Sequence, residues 1–179
     1  CEAIGAKVVK KYVGGLSEFG VFSFDFGKMI TTGEGGALFS KKKNDGKIAR
    51  MYHDHGHKNI PDLPRGLDRA GLIGFNYRMT EISGAFGKVQ LGKFPRILKE
   101  SQKRYLILQR DIRHNQIKLR HVNLGNEPNY DTFVISIENT KLRNGVISLL
   151  NQTGFGTKNL PDAFNWHCAY FWEHINKKI

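Results

Sequence analysis

The sequence predicts an α/β fold, because short apolar runs of strand composition alternate along the chain with segments of helical periodicity. Residues 19–24 and 36–40 are the first two predicted strands, and the first is apolar enough to predict a buried one. The chain has 179 residues, 40% of them hydrophobic and 25% charged, which is the composition of an ordinary globular domain. No apolar run approaches the ~20 residues that a membrane-spanning helix needs.

The next elements are a helix and a long loop. Residues 48–55 are predicted to be helical, and Gly56 supplies a residue type that ends helices in the left-handed conformation. Residues 57–73 contain two prolines and two glycines and show little periodicity. They predict a loop, and long loops in compact domains are often functional.

The second half of the chain predicts two more helices, a strand and a final helix. Thr80 is a suitable N-cap for the first of these helices, and Pro95, tolerated in a first turn, is the predicted start of the second. Residues 131–137 have strand composition, and the helix after them is predicted to end near Gly154. This change of pattern after about Asn115 predicts a second, smaller α/β unit.

The chain is strongly basic, with a formal net charge of +12. Such a charge attracts nucleic acid, acidic membranes or phosphorylated small molecules, and an acidic portion of a longer protein would balance it equally well. The basic residues are spread along the chain, and the densest run, residues 41–43, precedes an Asn-Asp-Gly turn. Because no nucleic-acid-binding motif accompanies the charge, we expect neither nucleic acid nor a membrane as a partner.

Cysteine and histidine usage bears on the compartment and on metals. Cys1 and Cys168 are far apart and match no disulfide or zinc spacing, which favours a reducing compartment and therefore the cytoplasm. His53, His55 and His57 alternate in steps of two, a spacing that shares one face on a strand but not on a helix. Metal binding needs further ligands in a fixed geometry, so we expect no metal site.

Lys28 lies just beyond the first predicted strand, where open α/β sheets place their sites. A lysine amine attacks a carbonyl only when it is deprotonated, and burial or a nearby cation lowers its pKa. The Gly-rich residues 31–36 let the backbone turn sharply or approach a phosphate, and Ser23 offers a hydroxyl. From these residues alone, a catalytic lysine and an ordinary solvated turn lysine both stay open.

Three ordered segments carry a resemblance to a known family. "GVFSFDFGKMITTGEGGALFS" (residues 20–40) resembles the cofactor-lysine segment of the DegT/DnrJ/EryC1/StrS family of sugar aminotransferases, which use pyridoxal phosphate. "GFNYRMTEISGAFGKVQL" (residues 74–91) resembles the family's Gly-Tyr-Asn-Tyr-Arg-Met stretch, and "MYHDHGH" (residues 51–57) lies between the two, as the family's Arg-Asp-His-Gly-like turn does. "CEAIGAK" at the start resembles the residues that come after the family's Glu-Asp pair.

The resemblance implies a fold-type I, aspartate-aminotransferase-like transferase and a role for each matching residue. Lys28 would bind the cofactor covalently and then move protons during transamination, and Ser23 would bind the cofactor phosphate. Asn76 would reach the phosphate of the neighbouring subunit's cofactor, because sites in this family lie at a dimer interface. Tyr77 and Arg78 would lie near that interface as substrate-binding residues, although a structural ion pair is an alternative for Arg78.

The sequence departs from the family pattern near its first residues. Glu2 stands where Gln or His is common, and a carboxylate near the cofactor ring oxygen needs a proton or a cation partner. The aspartate that pairs with the ring nitrogen is expected upstream of Cys1. We therefore expect a fragment: residues 1–115 from the later part of a large cofactor-binding domain, and residues 116–179 from the beginning of a small C-terminal domain. Such a fragment is expected to be inactive alone.

The end of the chain suggests a subgroup. Residues 154–172 are similar to the enzymes that aminate C8 of the sugar acid 3-deoxy-octulosonate, the 8-amino-3,8-dideoxy-octulosonate transaminases. Lys158 and His167 would then be substrate-binding residues, since a basic side chain suits a sugar-acid carboxylate. The alternative is that the aromatic residues of this segment form the core of the small domain.

The resemblance implies transfer of an amino group from an amino acid to a keto-sugar or sugar acid, in amino-sugar or lipopolysaccharide biosynthesis. Relatives that remove a sugar hydroxyl carry histidine at the position of Lys28, so the lysine predicts amino transfer and not dehydration. The alternative from another class is a basic, non-enzymatic α/β domain that binds phosphorylated ligands or a partner. Such a module has no reason to keep Lys28 between two flanking signatures.

Overall fold

The computed structural model of the chain describes residues 1–69, 71–160 and 167–176. Within these, the strands are β1 (Lys7–Val8), β2 (Lys11–Tyr12), β3 (Phe19–Ser23), β4 (Gly36–Ser40), β5 (Lys118–Leu119), β6 (Asn126–Glu127) and β7 (Ile135–Ser136). The helices are α1 (Lys43–Tyr52), α2 (Glu81–Asp111) and α3 (Thr140–Gln152), with 3₁₀ turns at Arg65–Leu67 and Ala169–Phe171 and a last helical turn at Glu173–Asn176. None of the helices described is long and apolar enough to cross a bilayer.

The chain divides into two compact units that are not continuous in sequence. The first contains Cys1–Arg113 and Arg120–Val134, and the second contains His114–Leu119 and Ile135–Ile179. The break after Arg113 lies close to the expected change of unit at Asn115, but residues 120–134 return to the first unit. The assignment of the two ranges to the large and small domains of a longer enzyme stays a prediction.

The first unit contains a three-stranded antiparallel sheet in the order β2-β1-β6. Lys7 pairs with Glu127 across β1 and β6, and their side chains form an ion pair of 2.9 Å. Further along, Tyr105 of α2 is only 6% exposed and contacts the rings of Tyr130 and Phe133 edge to face. These contacts hold residues 120–134 to the first unit.

The two predicted strands at 19–24 and 36–40 are confirmed as the antiparallel pair β3 and β4, in register from Phe19↔Ser40 to Ser23↔Gly36. The expectation that the first strand is buried is wrong. Phe19 and Val21 expose 47% and 56% of their surface, because β3 pairs with β4 alone in a two-stranded ribbon.

The helix expected at 48–55 is present but begins earlier, at Lys43, and ends at Tyr52. Gly56 has φ +81°, so the chain leaves this region through a left-handed residue, as expected. The predicted loop at 57–73 has, in its described residues, only the 3₁₀ turn Arg65–Leu67. Gly74 comes next at a close approach: a Cβ there would lie 2.3 Å from the backbone nitrogen of Gly56.

The prediction of two helices after Thr80 is wrong, because α2 runs unbroken through Pro95. Proline lacks an N–H, so Pro95 leaves the carbonyl of Leu91 without its intrahelical donor. Good helix formers on both sides, such as Leu91 and Lys99, keep the remaining ladder intact and outweigh this loss. The expected N-cap is confirmed, since Thr80 Oγ1 accepts a hydrogen bond from the Ser83 backbone at 3.1 Å.

In the second unit, β5 and β7 form an antiparallel pair of two residues each. The strand predicted at 131–137 is therefore confirmed only at Ile135–Ser136, because its partner in the described chain is equally short. Asn139 caps α3 by accepting a hydrogen bond from the Leu142 backbone at 3.0 Å. Gly154, at φ +83°, lies just past the end of this helix, as expected.

Candidate active site

Lys28 lies in the turn that joins β3 to β4, and this turn is fixed by hydrogen bonds to the carbonyl of Phe24. The Thr32 backbone N–H donates to that oxygen at 2.9 Å and Thr31 Oγ1 donates at 3.2 Å. Ile30 is the most deeply buried side chain described, with 1% of its surface exposed. The residues around Lys28 are thus anchored although the lysine itself is only partly buried.

Glycine gives this turn a conformation that other residues adopt poorly. Gly33 has φ +83°, which is left-handed, and its N–H donates to Thr31 Oγ1 at 2.9 Å. A side chain at Gly35 would collide with Thr32 Oγ1 and the methyl group of Met79, at 2.7 and 2.8 Å from the added carbon. The Gly-rich sequence after Lys28 therefore shapes a tight turn.

The amine of Lys28 is paired with a carboxylate from the beginning of the chain. Lys28 Nζ donates to Glu2 Oε1 at 2.7 Å, and the lysine side chain is 22% exposed. This hydrogen bond raises the pKa of Lys28 above its ordinary value. The structure thus differs from the expectation of a lysine whose pKa is lowered by burial or a cation, because the nearest charge is negative. Glu2 in turn has the cation partner that a carboxylate at this position was expected to need.

A second acidic residue lies near this pair. The carboxylate of Asp131 is partly desolvated, and this desolvation, together with the smaller effect of the negative charge of Glu2, raises its pKa although the residue as a whole is exposed. The opposite charge of Lys28 acts in the other direction. Asn129 Nδ2 donates to the Glu2 backbone oxygen at 2.6 Å, which fixes the start of the chain beside this group.

We predict that Glu2→Gln in the cofactor-free whole protein lowers the pH at which Lys28 reacts with an amine-modifying reagent. Glutamine keeps the shape of Glu2 but removes the negative charge that stabilises the ammonium form, so the free amine appears at lower pH. The measurement is the reaction rate of Lys28 against pH, monitored by peptide mass spectrometry.

The matched control is Glu127→Gln, which removes the carboxylate from the separate Lys7–Glu127 pair of 2.9 Å. That change should move the pH profile of Lys7 and leave the profile of Lys28 in place. An unchanged Lys28 profile in Glu2→Gln would contradict the view that Glu2 sets the charge of the amine.

Ser23, Asn76, Tyr77 and Arg78 fall into two groups. Ser23 ends β3 in the same turn region as Lys28, and its Oγ accepts a long hydrogen bond of 3.4 Å from the Asp25 backbone. The other three lie in a short extended segment, residues 75–78, which runs beside residues 52–55. No hydrogen bond or ion pair found among the described residues joins this segment to Lys28 or Ser23.

Arg78 takes part in an ion cluster that the sequence analysis did not predict. Its Nη1 donates to Asp54 Oδ1 at 2.6 Å, and Asp54 also binds Arg65. This is the ion-pair alternative left open for Arg78. Its exposed side chain still has donors beyond Nη1, so substrate binding by Arg78 stays a prediction.

Lys158 and His167 lie in the second unit, and both are exposed. Their role in substrate binding stays a prediction, and residues 161–166 between them, including the aromatic Phe164 and Trp166, lie outside the described residues. Within the described part of the chain, no three His, Cys, Asp or Glu side chains form a group suited to a metal ion. His53, His55 and His57 instead lie around the end of α1, where His53 Nδ1 is 2.5 Å from the Arg50 carbonyl oxygen.

Sequence reasoning missed Asp54, Arg65, Asn129 and Asp131. Asp54 lies between two histidines, and the spacing of those histidines hid the carboxylate between them. The available signal for Asp54 was its charge, since it is the one carboxylate in the stretch MYHDHGH (residues 51–57). The neighbours of Asn129 and Asp131 in the sequence do not indicate a role in the site. Both residues lie near Glu2 only in the folded chain, and Asn129 is 127 residues away from it in the sequence.

Comparison with known proteins agrees with the resemblance that the sequence motifs carry. Residues 1–174 match the DegT/DnrJ/EryC1/StrS aminotransferase family. The chain belongs to this family, and the resemblance predicted from its motifs is confirmed.

Two curated relatives show the extent of the similarity. GDP-perosamine synthase of Vibrio cholerae is 26% identical over 191 residues, covering 99% of this chain and 47% of the relative. GDP-perosamine synthase of Escherichia coli O157:H7 is 40% identical over 90 residues, covering 50% of this chain and 23% of the relative. The chain thus spans less than half the length of either relative.

Solved structures confirm the predicted fold. Helicobacter pylori PseC, an aminotransferase involved in the biosynthesis of pseudoaminic acid, has a TM-score of 0.73 and 25% identity, covering 86% of this chain and 41% of PseC. AtS13 of Actinomadura melliaura has a TM-score of 0.77 at 18% identity, covering 96% of this chain and 45% of AtS13, and this likeness shows the fold alone. The chain is part of a fold-type I transferase fold.

Proposed function

We propose that the protein is a pyridoxal-phosphate-dependent aminotransferase that moves an amino group from an amino acid to a keto-sugar or sugar acid. The observation that carries this proposal is the amine of Lys28, partly exposed at the end of a fixed turn within the family-matching sequence. Family membership favours this function over the alternative of a non-enzymatic basic domain, since the matching family and the relatives named above are enzymes.

The side chains around Lys28 fit the cofactor by their chemistry. Pyridoxal phosphate supplies an aldehyde that bonds to amines and a ring that accepts electrons. Lys28 offers the amine, and Ser23 offers a hydroxyl to the phosphate from the same turn region. Glu2 is paired with Lys28 at 2.7 Å, and the family resemblance implies that it would contact the ring oxygen of the bound cofactor.

We assign two tasks to Lys28 in the reaction. Its Nζ would hold the cofactor, whose aldehyde bonds to amines, and the free amine would take the proton that leaves the α-carbon of the amino donor. Both tasks require the neutral amine, whereas Glu2 stabilises the ammonium form. Glu2 therefore disfavours the neutral amine of Lys28 in the cofactor-free protein, and we expect cofactor binding to separate the two groups.

The substrate is proposed as a keto-sugar in amino-sugar or lipopolysaccharide biosynthesis. The names of the relatives support this class: GDP-perosamine synthase is named for a nucleotide sugar, and a lipopolysaccharide biosynthesis protein of Salmonella typhimurium is 24% identical over 184 residues. An eight-carbon sugar acid, and contacts to it from Lys158 and His167, stay predictions. The two free cysteines support a reducing compartment, and we place the protein in the cytoplasm.

We also propose a homodimer in which Asn76 and its neighbours complete the partner's site. Exposed apolar side chains support an interface here: Tyr77 exposes 64% of its surface, and Ile82 and Phe86 on the first turns of α2 expose 77% and 60%. Ile82, Phe86 and Val89 recur at helical spacing, so they form one apolar stripe that favours burial against another chain.

The experiment that tests cofactor attachment is borohydride reduction of the whole protein after incubation with pyridoxal phosphate. We expect one cofactor per chain, fixed to the peptide that contains Lys28, because reduction locks the carbon–nitrogen bond. The matched control is Lys28→Arg, which keeps the positive charge but cannot form this bond. Labelling that spreads over many lysines, or that persists in Lys28→Arg, would rule out Lys28 as the attachment site.

A further inference from the structure

Asp54 is a buried carboxylate held by two arginines. It is 4% exposed, and Arg65 binds it with both ends of the guanidinium: Nη1 donates to Oδ2 at 2.9 Å and Nη2 donates to Oδ1 at 2.5 Å. Arg78 Nη1 donates to Oδ1 at 2.6 Å. The hydrogen bonds from Arg65 and then Arg78 hold the pKa of Asp54 well below its ordinary value. The carboxylate is therefore charged, and it accepts three charge-assisted hydrogen bonds.

The backbone on either side of this cluster forms a very short antiparallel pairing. Asp54 lies directly opposite Asn76 in an isolated bridge. The flanking backbone hydrogen bonds run from Phe75 N to Tyr52 O at 2.8 Å, from His55 N to Phe75 O at 2.9 Å and from Tyr77 N to His53 O at 2.8 Å. So few bonds specify a register weakly unless side chains add to them.

Side chains on both faces fix the register of this pairing. Residues that lie opposite each other in an antiparallel pair project to the same face, and alternate residues of one segment share a face. Asp54, Asn76 and Arg78 therefore share one face, where the carboxylate binds the arginine. On the other face, the rings of Phe75 and Tyr77 stack with centroids 5.6 Å apart. Tyr52, the last residue of α1 and so outside the strand alternation, contacts the ring of Phe75 at 5.4 Å.

A shift by one residue would exchange the two faces. Arg78 would leave Asp54, and Asn76 would turn toward the side now occupied by the aromatic rings. Arg65 adds to the cost of the shift. It lies in the loop at 57–73 and donates two hydrogen bonds to the carboxylate of Asp54, so it holds this carboxylate in the position that binds Arg78. The ion cluster thus acts on Asn76 without touching it.

We propose that Asp54 is a positioning residue, which fixes the register of residues 75–78 and thereby aims Asn76 at the cofactor phosphate. The part that concerns the phosphate rests on the proposed function, whereas the part that concerns the register rests on the contacts of Asp54 alone. Arg65 supports this role from the loop, which gives that loop a function in the site.

The test compares Asp54→Asn with the matched control Asp68→Asn in the whole protein. Asp68 is also buried, at 7% exposed, but its carboxylate accepts hydrogen bonds from the backbone of Lys58 and Asn59 and not from the segment 75–78. The first readout is hydrogen exchange at the amides of His55, Phe75 and Tyr77. We expect exchange about tenfold faster or more in Asp54→Asn and unchanged in Asp68→Asn, since charge-assisted bonds are lost only in the former.

The second readout separates positioning from general stability. Affinity is measured for pyridoxal phosphate and for pyridoxal, which lacks the phosphate that Asn76 is proposed to bind. Asp54→Asn should weaken the affinity for pyridoxal phosphate about tenfold. The affinity for pyridoxal should stay within about twofold of the unaltered protein's, because only the phosphate contact is misplaced. Should Asp54→Asn not fold, Arg65→Gln keeps the Asp54–Arg78 bond and is expected to change both readouts in the same direction by less.

Each failure has a separate meaning. Unchanged exchange in a folded Asp54→Asn protein, or in Arg65→Gln if the former is unfolded, overturns the role of Asp54 in the register. Faster exchange with an unchanged preference for the phosphate overturns the link to Asn76. If the unaltered protein itself does not prefer pyridoxal phosphate to pyridoxal, the proposed function is wrong, while the exchange data still decide the register.

Discussion

Replacing Lys28 with alanine in the whole protein is expected to lower the rate of amino transfer by several orders of magnitude. The change removes covalent attachment of the cofactor and also proton transfer at Nζ, and positioned proton transfer alone contributes ~10²–10⁴-fold. The fold should persist, because the lysine side chain is partly exposed and the turn is anchored by Ile30 and the hydrogen bonds to Phe24. The measurement is single-turnover transfer from an amino acid to a keto-sugar, with cofactor affinity measured in parallel.

Two further variants sharpen this result. Lys42→Ala removes another lysine that is paired with a glutamate, at 2.7 Å from Glu18, and should keep wild-type turnover. Lys28→His can move a proton but cannot bond to the cofactor aldehyde, so it should restore no amino transfer. Near wild-type turnover in Lys28→Ala would show that both the assignment of the lysine and the proposed reaction are wrong.

Mixing Lys28→Ala with Asn76→Ala, at a cofactor concentration too low to fill the sites of Asn76→Ala alone, is expected to restore amino transfer to about a quarter of the wild-type level. In a mixed dimer, one site combines Lys28 of one subunit with Asn76 of the other, and half of randomly paired dimers are mixed. One intact site in four therefore results. The measurement is the rate after the subunits have exchanged, which is verified by mass spectrometry of differently tagged chains.

The control mixture replaces Asn76→Ala with the double variant that carries both substitutions. No pairing of that chain with Lys28→Ala contains an intact site, so this mixture should stay inactive. Equal rates in the two mixtures would mean that Asn76 does not serve the partner's site, and the proposed shared site would be rejected.

Features that depend on neighbouring residues were predicted well from the sequence. The strands β3 and β4, the N-cap at Thr80 and the left-handed glycines after α1 and α3 all derive from local conformational preference. The cofactor-lysine segment was also recognisable, because its order of residues is particular to the family. These are cases in which one short stretch contains the whole signal.

Features that depend on distant residues were not predictable. Pro95 suggested a helix boundary, yet the helix-forming residues on both sides carry α2 through it. The pKa of Lys28 is raised by Glu2, 26 residues earlier, and we propose that the register of Asn76 depends on Asp54 and Arg65. The exposure of β3 could not be predicted either, because an apolar sequence does not show whether another element covers the strand.

The return of residues 120–134 to the first unit has a consequence for synthesis on the ribosome. The strand β1 receives its partner β6 only after the chain has grown by 120 residues, the separation of Lys7 and Glu127. At ordinary translation speed this delay is about 6 to 24 s. Among the strands described here, β1 and β2 pair only with each other until β6 is made, and a two-stranded hairpin is marginally stable. A translation pause before Glu127 would therefore lengthen the time for which β1 lacks the strand that completes its three-stranded sheet.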